Sequence, residues 1–335
     1  MAVGPGNVVA DPDARREPQN EPVSSTAPPL TSDQLAELAR TVVRDALGTV
    51  AAVEAVDALQ AGPDGGVVRL ALRRSSSRLV LKLARLEGQP AIDLARTAAV
   101  MALAGGAGVP VPRVLSADAT GRLGGWQHLL SEHVDGEVWR EVRPLLTPDQ
   151  RRAVHRQFAS TLLALRSIGL PAFGELGRDG APVPVSLPAA LRERVRLRVR
   201  RPAARAVAEQ LLERRAASLA AGSAPALCHD DLHHQNLVLR PGADGWRLVG
   251  VLDWDKAWAG PVESDLARLA FWDDMTGPGF WSAYRAAVPA VEGEEERWAV
   301  HQLLWCLEYD APTPRHRADT AALCRRLGLA VPDGR

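Results

Sequence analysis

Leu227-Cys228-His229-Asp230-Asp231-Leu232-His233-His234-Gln235-Asn236-Leu237-Val238-Leu239 is the stretch on which the reading of this chain turns. Its skeleton is His-x-Asp, then four residues and Asn, leading into an apolar run. Further on, Gly250-Val251-Leu252-Asp253-Trp254-Asp255 is a second apolar run with an acid at its end. Short Val- and Leu-rich runs bounded by turn residues read as strands. The loop therefore carries Asp231 and Asn236 into a hairpin that ends on Asp253. Phosphoryl transfer from ATP needs a carboxylate for the proton of the attacking hydroxyl. It also needs a side-chain amide and a second carboxylate to hold magnesium on the phosphates. All three parts are present here in one short segment.

Two motifs in this order and at this separation resemble those of the aminoglycoside phosphotransferase/choline kinase-like superfamily. Its loop reads roughly H-G-D-x-H-x-x-N, and its metal strand I-D-W/F-E, followed by G-D-P and D-L-A. The resemblance spans about residues 50–310 and is closest over 227–267. It implies an α+β, bilobal protein-kinase-like fold, with a small β-rich N-lobe and a larger helical C-lobe. It implies ATP and Mg2+ as cofactors and the hydroxyl of a small molecule as acceptor. Asp231 falls on the catalytic base, and Asn236 and Asp253 on the magnesium ligands. Gly260 and Asp265-Leu266-Ala267 fall on the later elements, where the acid braces the catalytic loop. Three positions depart from the pattern: Asp230 replaces a Gly, Gly260-Pro261-Val262 stands for G-D-P, and Gln235 stands where many relatives have Gly.

The resemblance also places a phosphate-binding lysine on the third strand of the N-lobe, which is Lys82 in Leu79-Val80-Leu81-Lys82-Leu83. Alternation along that strand turns Lys82 away from its apolar neighbours. Gly62, Gly65 and Gly66 form the candidate hairpin over the phosphates, where missing side chains let backbone N–H groups approach. Ser131-Glu132-His133-Val134 is the candidate hinge, with Glu132 and Val134 offering backbone groups to adenine. The family pairs its lysine with a glutamate on the first N-lobe helix. Counting back from Gly108-Val109-Pro110-Val111-Pro112, that position is Thr97; Asp93, one turn earlier on the same face, is the other candidate.

Outward from these motifs the chain reads as three parts: a tail at 1–30, a nucleotide-binding lobe at 31–134 and a catalytic and substrate-binding lobe at 135–335. The tail is proline-rich and has little to pack, so it is expected to stay disordered. Thr31-Ser32-Asp33-Gln34 is a capping box opening a helix to Gly48. Strands follow near 50–60, 66–72 and 78–83, a helix at 91–104, and strands near 113–117 and 127–134. Thr147-Pro148-Asp149-Gln150 opens a second long helix, 188–220 is helical, and one β insertion near 225–253 precedes helices to the end.

Composition narrows the function further. Lys plus Arg and Asp plus Glu are 40 each, so no overall basic field favours nucleic acid. No apolar run approaches the ~18 residues of a membrane span. Three scattered cysteines without metal spacing point to reduced thiols and a cytoplasmic protein.

Several features carry two readings. His229, His233 and His234 could form a zinc site, but lack a second ligand set, and His229 reads better as organising the loop. Asp255 either assists the metal or is a solvated acid at a strand end. The arginines at 192, 194, 196, 198, 200, 201 and 205 suggest either an anionic partner or, preferably, a solvated helix face. Trp254 is expected behind the metal strand, and Trp272, Trp281, Trp298 and Trp305 mostly in the core. Cys228 reads as a small buried residue. An aminoglycoside-like antibiotic is the leading acceptor, with Asp273, Asp274, Glu308 and Asp310 as the candidate acidic cleft for a cation. A metabolite kinase acting on an amino alcohol or sugar, and a nucleotide-binding pseudokinase, are the alternatives.

Overall fold

The computed structural model describes residues 30–48, 52–62, 64–87 and 92–332. The expected tail, apart from Leu30, lies outside the described residues, as do Pro63 in the glycine hairpin and residue 91 at the expected helix start. Leu30 itself packs against the N-lobe core.

Helix α1 (Ser32–Leu47) starts on the expected capping box: Thr31 Oγ1 accepts from Gln34 N at 3.3 Å, and Gln34 Oε1 from Thr31 N at 2.9 Å. Strands β1 (Val53–Gly62), β2 (Gly65–Leu72) and β3 (Arg78–Arg85) follow. After α2 (Leu94–Gly106) come β4 (Val114–Leu123) and β5 (Trp126–Glu132). They form one antiparallel sheet in the order β1-β2-β3-β5-β4. Period-2 alternation sorts its faces. Leu79, Leu81 and Leu83 pack with Ala39, Val42 and Val43 of α1, while Ala84 belongs to the core shared with α2. Lys82 is on that second face, opposite Val67 and Leu129. Gly65 is needed where β2 meets β3, since a Cβ there would lie 2.6 Å from Leu83 O.

The C-terminal part begins with β6 (Glu137–Val138) and the short α3 (Trp139–Val142). Helix α4 (Pro148–Ser167) carries the second capping box and packs on a later helix. Strand β7 (Gly174–Glu175) precedes α5 (Leu187–Arg198), α6 (Pro202–Arg214) and α7 (Ala216–Ala220). The stretch expected as one helical segment at 188–220 is therefore three helices. Pro202 disfavours helix in the residue before it and starts α6 instead.

Strand β8 (Pro225–Cys228) leads to the hairpin of β9 (Leu237–Gly242) and β10 (Gly245–Val251), and β11 (Trp258–Pro261) follows. Helices α8 (Glu263–Phe271), α9 (Pro278–Ala287), α10 (Glu294–Leu307) and α11 (Pro314–Leu327) complete the chain. Beyond the expected hairpin, β6 extends β9, and β11 joins β7 to β8. Strand β8 was expected near 225–228, whereas β6, β7 and β11, of two to four residues, are too short to show a period and were not. One core runs from α2 and β5 into the C-terminal helices, so the two parts are packed together across the cleft.

Candidate active site

The loop between β8 and β9 is held from below by α8. Both oxygens of Asp265 accept backbone N–H groups, from His229 at 2.8 Å and from Asp230 at 2.7 Å. Asp230 sits at φ 60, a left-handed conformation that aspartate tolerates better than most residues. His229 Nδ1 accepts from Asp231 N at 3.1 Å, so its Nε2–H donates to Leu252 O at 2.9 Å. Its ring meets buried Trp254 edge-on. Asn236 Nδ2 donates to Asp231 O at 2.9 Å and closes the loop on itself.

These bonds present Asp231 with its carboxylate between two cations. Buried Arg268 of α8 grips Oδ1 and lies over the Trp305 ring, 4.6 Å from its centroid. Lys256 Nζ is 3.3 Å from Oδ2. Burial pushes the Asp231 carboxyl up, but Arg268 and Lys256 outweigh it and hold the group well below the usual carboxylate range. Asp231 is thus an ionised acceptor at neutral pH.

The opposite wall comes from β3 and the end of β10. Asp253, also left-handed at φ 62, points its carboxylate toward Lys82 Nζ at 3.0 Å. Asp255 pairs with the same ammonium. Burial draws the Lys82 ammonium down, but these two acids outweigh it and keep it above its ordinary value. Lys82 in turn holds the Asp253 carboxyl below its usual value. Lys82 is therefore brought, from far off in the chain, to the segment that carries Asp231, Asn236 and Asp253.

Asn236 spends its amide nitrogen on Asp231 O and on His233, which leaves the carbonyl oxygen for a metal. The Asp253 side chain is 47% exposed. Two hard oxygens of this kind fit Mg2+.

The remaining expected residues are placed less directly. Gly62 and Gly65 pair across the β1–β2 turn, with Gly66 opposite Leu83 and next in register to Lys82. The Glu132 carboxylate is taken by Arg113 at 3.0 Å, and the N–H groups of Glu132 and His133 are spent on Arg113 O and Arg78 O. Val134 therefore carries the next backbone N–H along the hinge, and its side chain packs against Gly250.

Thr97 is buried on α2 and donates to Asp255 Oδ1 at 3.1 Å. Asp93 is not a lysine partner: it caps α2 through Ala95 N and Arg96 N, both at 3.1 Å, and pairs with Arg178 at 2.6 Å.

The arginine-rich segment is a solvated face only in part: Arg192 and Arg196 are exposed, but Arg194 and Arg198 turn inward. Arg194 is buried, pairs with Glu175 and Asp230, and lies over Trp258. Arg198 reaches Asp230 at 2.8 Å and Glu308 at 3.8 Å. Together they fix Asp230, the residue beside Asp231. Sequence reasoning missed Lys256 and Arg268. A signal for the first was available: Lys82 and Lys256 are the only lysines in 335 residues, and both stand in this cleft.

The acids expected to line a cleft for cations are already matched. Asp273 pairs with Arg315 at 3.1 Å, Asp274 with Arg151 at 3.4 Å, and Asp310 with Arg200 at 3.2 Å. Among the described residues, no group of three His, Cys, Asp or Glu side chains is placed to hold a metal ion, and the histidines instead serve loop hydrogen bonds. Cys228 is buried, with its thiol on Pro261 O at 3.3 Å. Among the described residues, no helix is long and apolar enough to cross a membrane.

The model of the phosphotransferase enzyme family matches residues 58–301. The chain is 27% identical over 170 residues to acyl-CoA dehydrogenase family member 11 of Rattus norvegicus, covering 49% of this chain. It spans about a fifth of the length of the curated relatives it matches. Among solved structures, a thermostable mutant of aminoglycoside phosphotransferase APH(4)-Ia, in complex with AMP-PNP and hygromycin B, superposes with a TM-score of 0.61 at 17% identity. That match covers 86% of this chain and 96% of the other. A putative fructosamine-3-kinase from Thermobifida fusca gives 0.58 at 23% identity, covering 86% and 97%.

Proposed function

The chain belongs to the phosphotransferase enzyme family, and from that premise we propose that it moves the γ-phosphate of ATP to a hydroxyl of a small molecule, with Asp231 as base. The observation that carries this reading is the meeting of Lys82 with Asp253 at 3.0 Å beside the Asp231–Asn236 loop. Residues 31–134 are read as the nucleotide-binding lobe and 135–335 as the catalytic and acceptor lobe. Asn236 and Asp253 would hold Mg2+, which when bound neutralises phosphate charge. Lys82 orients the phosphates as a point charge. Asp231 accepts the acceptor's hydroxyl proton, and its ionised state suits that task. Gly62, Gly65 and Gly66 close over the phosphates, and Val134 offers its backbone N–H to the base of the nucleotide. The free, buried cysteines support a cytoplasmic setting.

The arginine pairs on Asp273, Asp274 and Asp310 favour a neutral or anionic metabolite alcohol over a polycationic aminoglycoside.

A panel of sugars, amino alcohols, hydroxy acids and aminoglycosides with ATP and magnesium tests the reading. Turnover with one class is expected, and Asp231→Asn should lower it roughly 10²–10⁴-fold. Asp253→Ala should abolish magnesium-dependent ATP binding in calorimetry. An active Asp231→Asn variant, or Asp253→Ala with unchanged metal dependence, would refute the assignments.

A further inference from the structure

Lys82 meets two acids of unlike character. Asp253 is the open one, 47% exposed, and is the proposed metal ligand. Asp255 is 17% exposed and fastened at three points. Its Oδ1 receives the Thr97 hydroxyl at 3.1 Å, its Oδ2 receives Lys82, and its backbone carbonyl receives Arg96 Nη2 at 2.8 Å. The Thr97 hydroxyl has one proton and two acceptors in range, Asp255 Oδ1 at 3.1 Å and Asp93 O at 3.2 Å. The charged, nearer acceptor takes it. Arg96 also donates to Ala257 O at 2.8 Å, so adjacent residues of α2 clamp the whole 255–257 loop.

We propose that Asp255 is the positioning partner of Lys82, supplied by the C-terminal part of the chain, and that Thr97 serves α2 by holding that acid instead of carrying one. The proposal rests on the phosphotransferase reading. A carboxylate given to a metal is lost to the lysine, and Asp255 is the acid that stays. The pair explains Thr97: a glutamate at this buried position would set a second carboxylate against Asp255, which like charges disfavour. Lys82 is thereby tied across the cleft, and its placement depends on how the two parts meet.

The test is a charge swap in the full chain. Asp255→Asn should lower turnover of saturating magnesium–ATP about tenfold, one charge-assisted contact. Where no acceptor is supplied, turnover is read as slow hydrolysis. The magnesium concentration for half-effect should stay unchanged. Thr97→Glu alone should also lower turnover, and the two together should recover most of it. Thr97→Val, nearly isosteric, should cost about threefold. In metal-free protein, acylation of Lys82, read against Lys256 by mass spectrometry, should accelerate in Asp255→Asn. Additive losses in the double variant, or a raised magnesium requirement in Asp255→Asn, would overturn the proposal; the latter would make Asp255 a metal ligand. Wild-type protein that binds no magnesium–ATP would overturn the phosphotransferase reading and this one with it.

Discussion

Around Asp231 the chain packs Arg268 at 6% side-chain exposure against Trp305, and sets the buried Arg194 on the neighbouring Asp230. Around Lys82 the acids face a cleft in which nearly half of one of them is open. Both regions pair carboxylates with cations, yet the surroundings differ. The proposed base is gripped by buried Arg268, with buried Arg194 on its neighbour Asp230 and Lys256 on its open side, which suits a group that must keep one geometry. The proposed phosphate side uses a lysine and an exposed acid, which would suit groups that exchange partners on nucleotide binding. Arginine forks fix geometry, whereas an ammonium is a point charge on a flexible stem.

That contrast can be broken most forcefully at Arg268. Arg268→Met leaves Asp231 buried without its main counter-charge, and removing one partner of a buried pair costs about 3–5 kcal/mol. Denaturant titration should show the midpoint falling by the corresponding amount. An unchanged midpoint would mean that the base side is no better braced than the phosphate side.

A broader effect follows from pH. Burial pushes His233, His234 and His301 down to about 4. The unfolded chain takes up these protons near pH 6.5, and the native chain refuses them until about 4, so stability falls as pH drops through that window. Each contributes a slope of at most about 1.4 kcal/mol per pH unit. Asp265, pushed up to about 7 by burial and the nearby Asp230, acts in the opposite sense and offsets part of this. The melting temperature at pH 5 should lie below that at pH 7, and His234→Gln should flatten the difference. Equal melting temperatures at both pH values would contradict the buried, neutral histidines.

The smallest effect is expected at Lys256, 40% exposed beside Asp231. Lys256→Met should lower turnover roughly tenfold by removing one charge near the reacting groups. Its melting temperature should stay within a degree or two, since exposed pairs contribute little to stability. A large loss of stability would place Lys256 with the braced arginines.

Much of the proposed site was legible because its signals are local. The His229-to-Asn236 spacing, the strand-end Asp253 and the alternation around Lys82 lie within single elements, where chain geometry dictates which residues share a face. The two capping boxes were legible for the same reason. Arg194 and Arg198 of α5 were misread because a long side chain reaches a buried acid as readily as it reaches water, and helical spacing does not distinguish the two.

The sequence alone offered the candidate parts: a proposed base, an amide and an acid proposed to hold a metal, a lysine on an alternating strand, and the order in which they enter the fold. Only the tertiary structure decided the pairings. Thr97 and Asp255 are 158 residues apart in the chain, as are Arg268 and Asp231 by 37, and no periodicity spans such distances. Which acid meets Lys82, and which cation meets Asp231, depends on how β3, α2, the β10 end and α8 pack around one cleft. That packing is set by the shared hydrophobic core, which selects relative positions by shape and leaves no mark in local spacing.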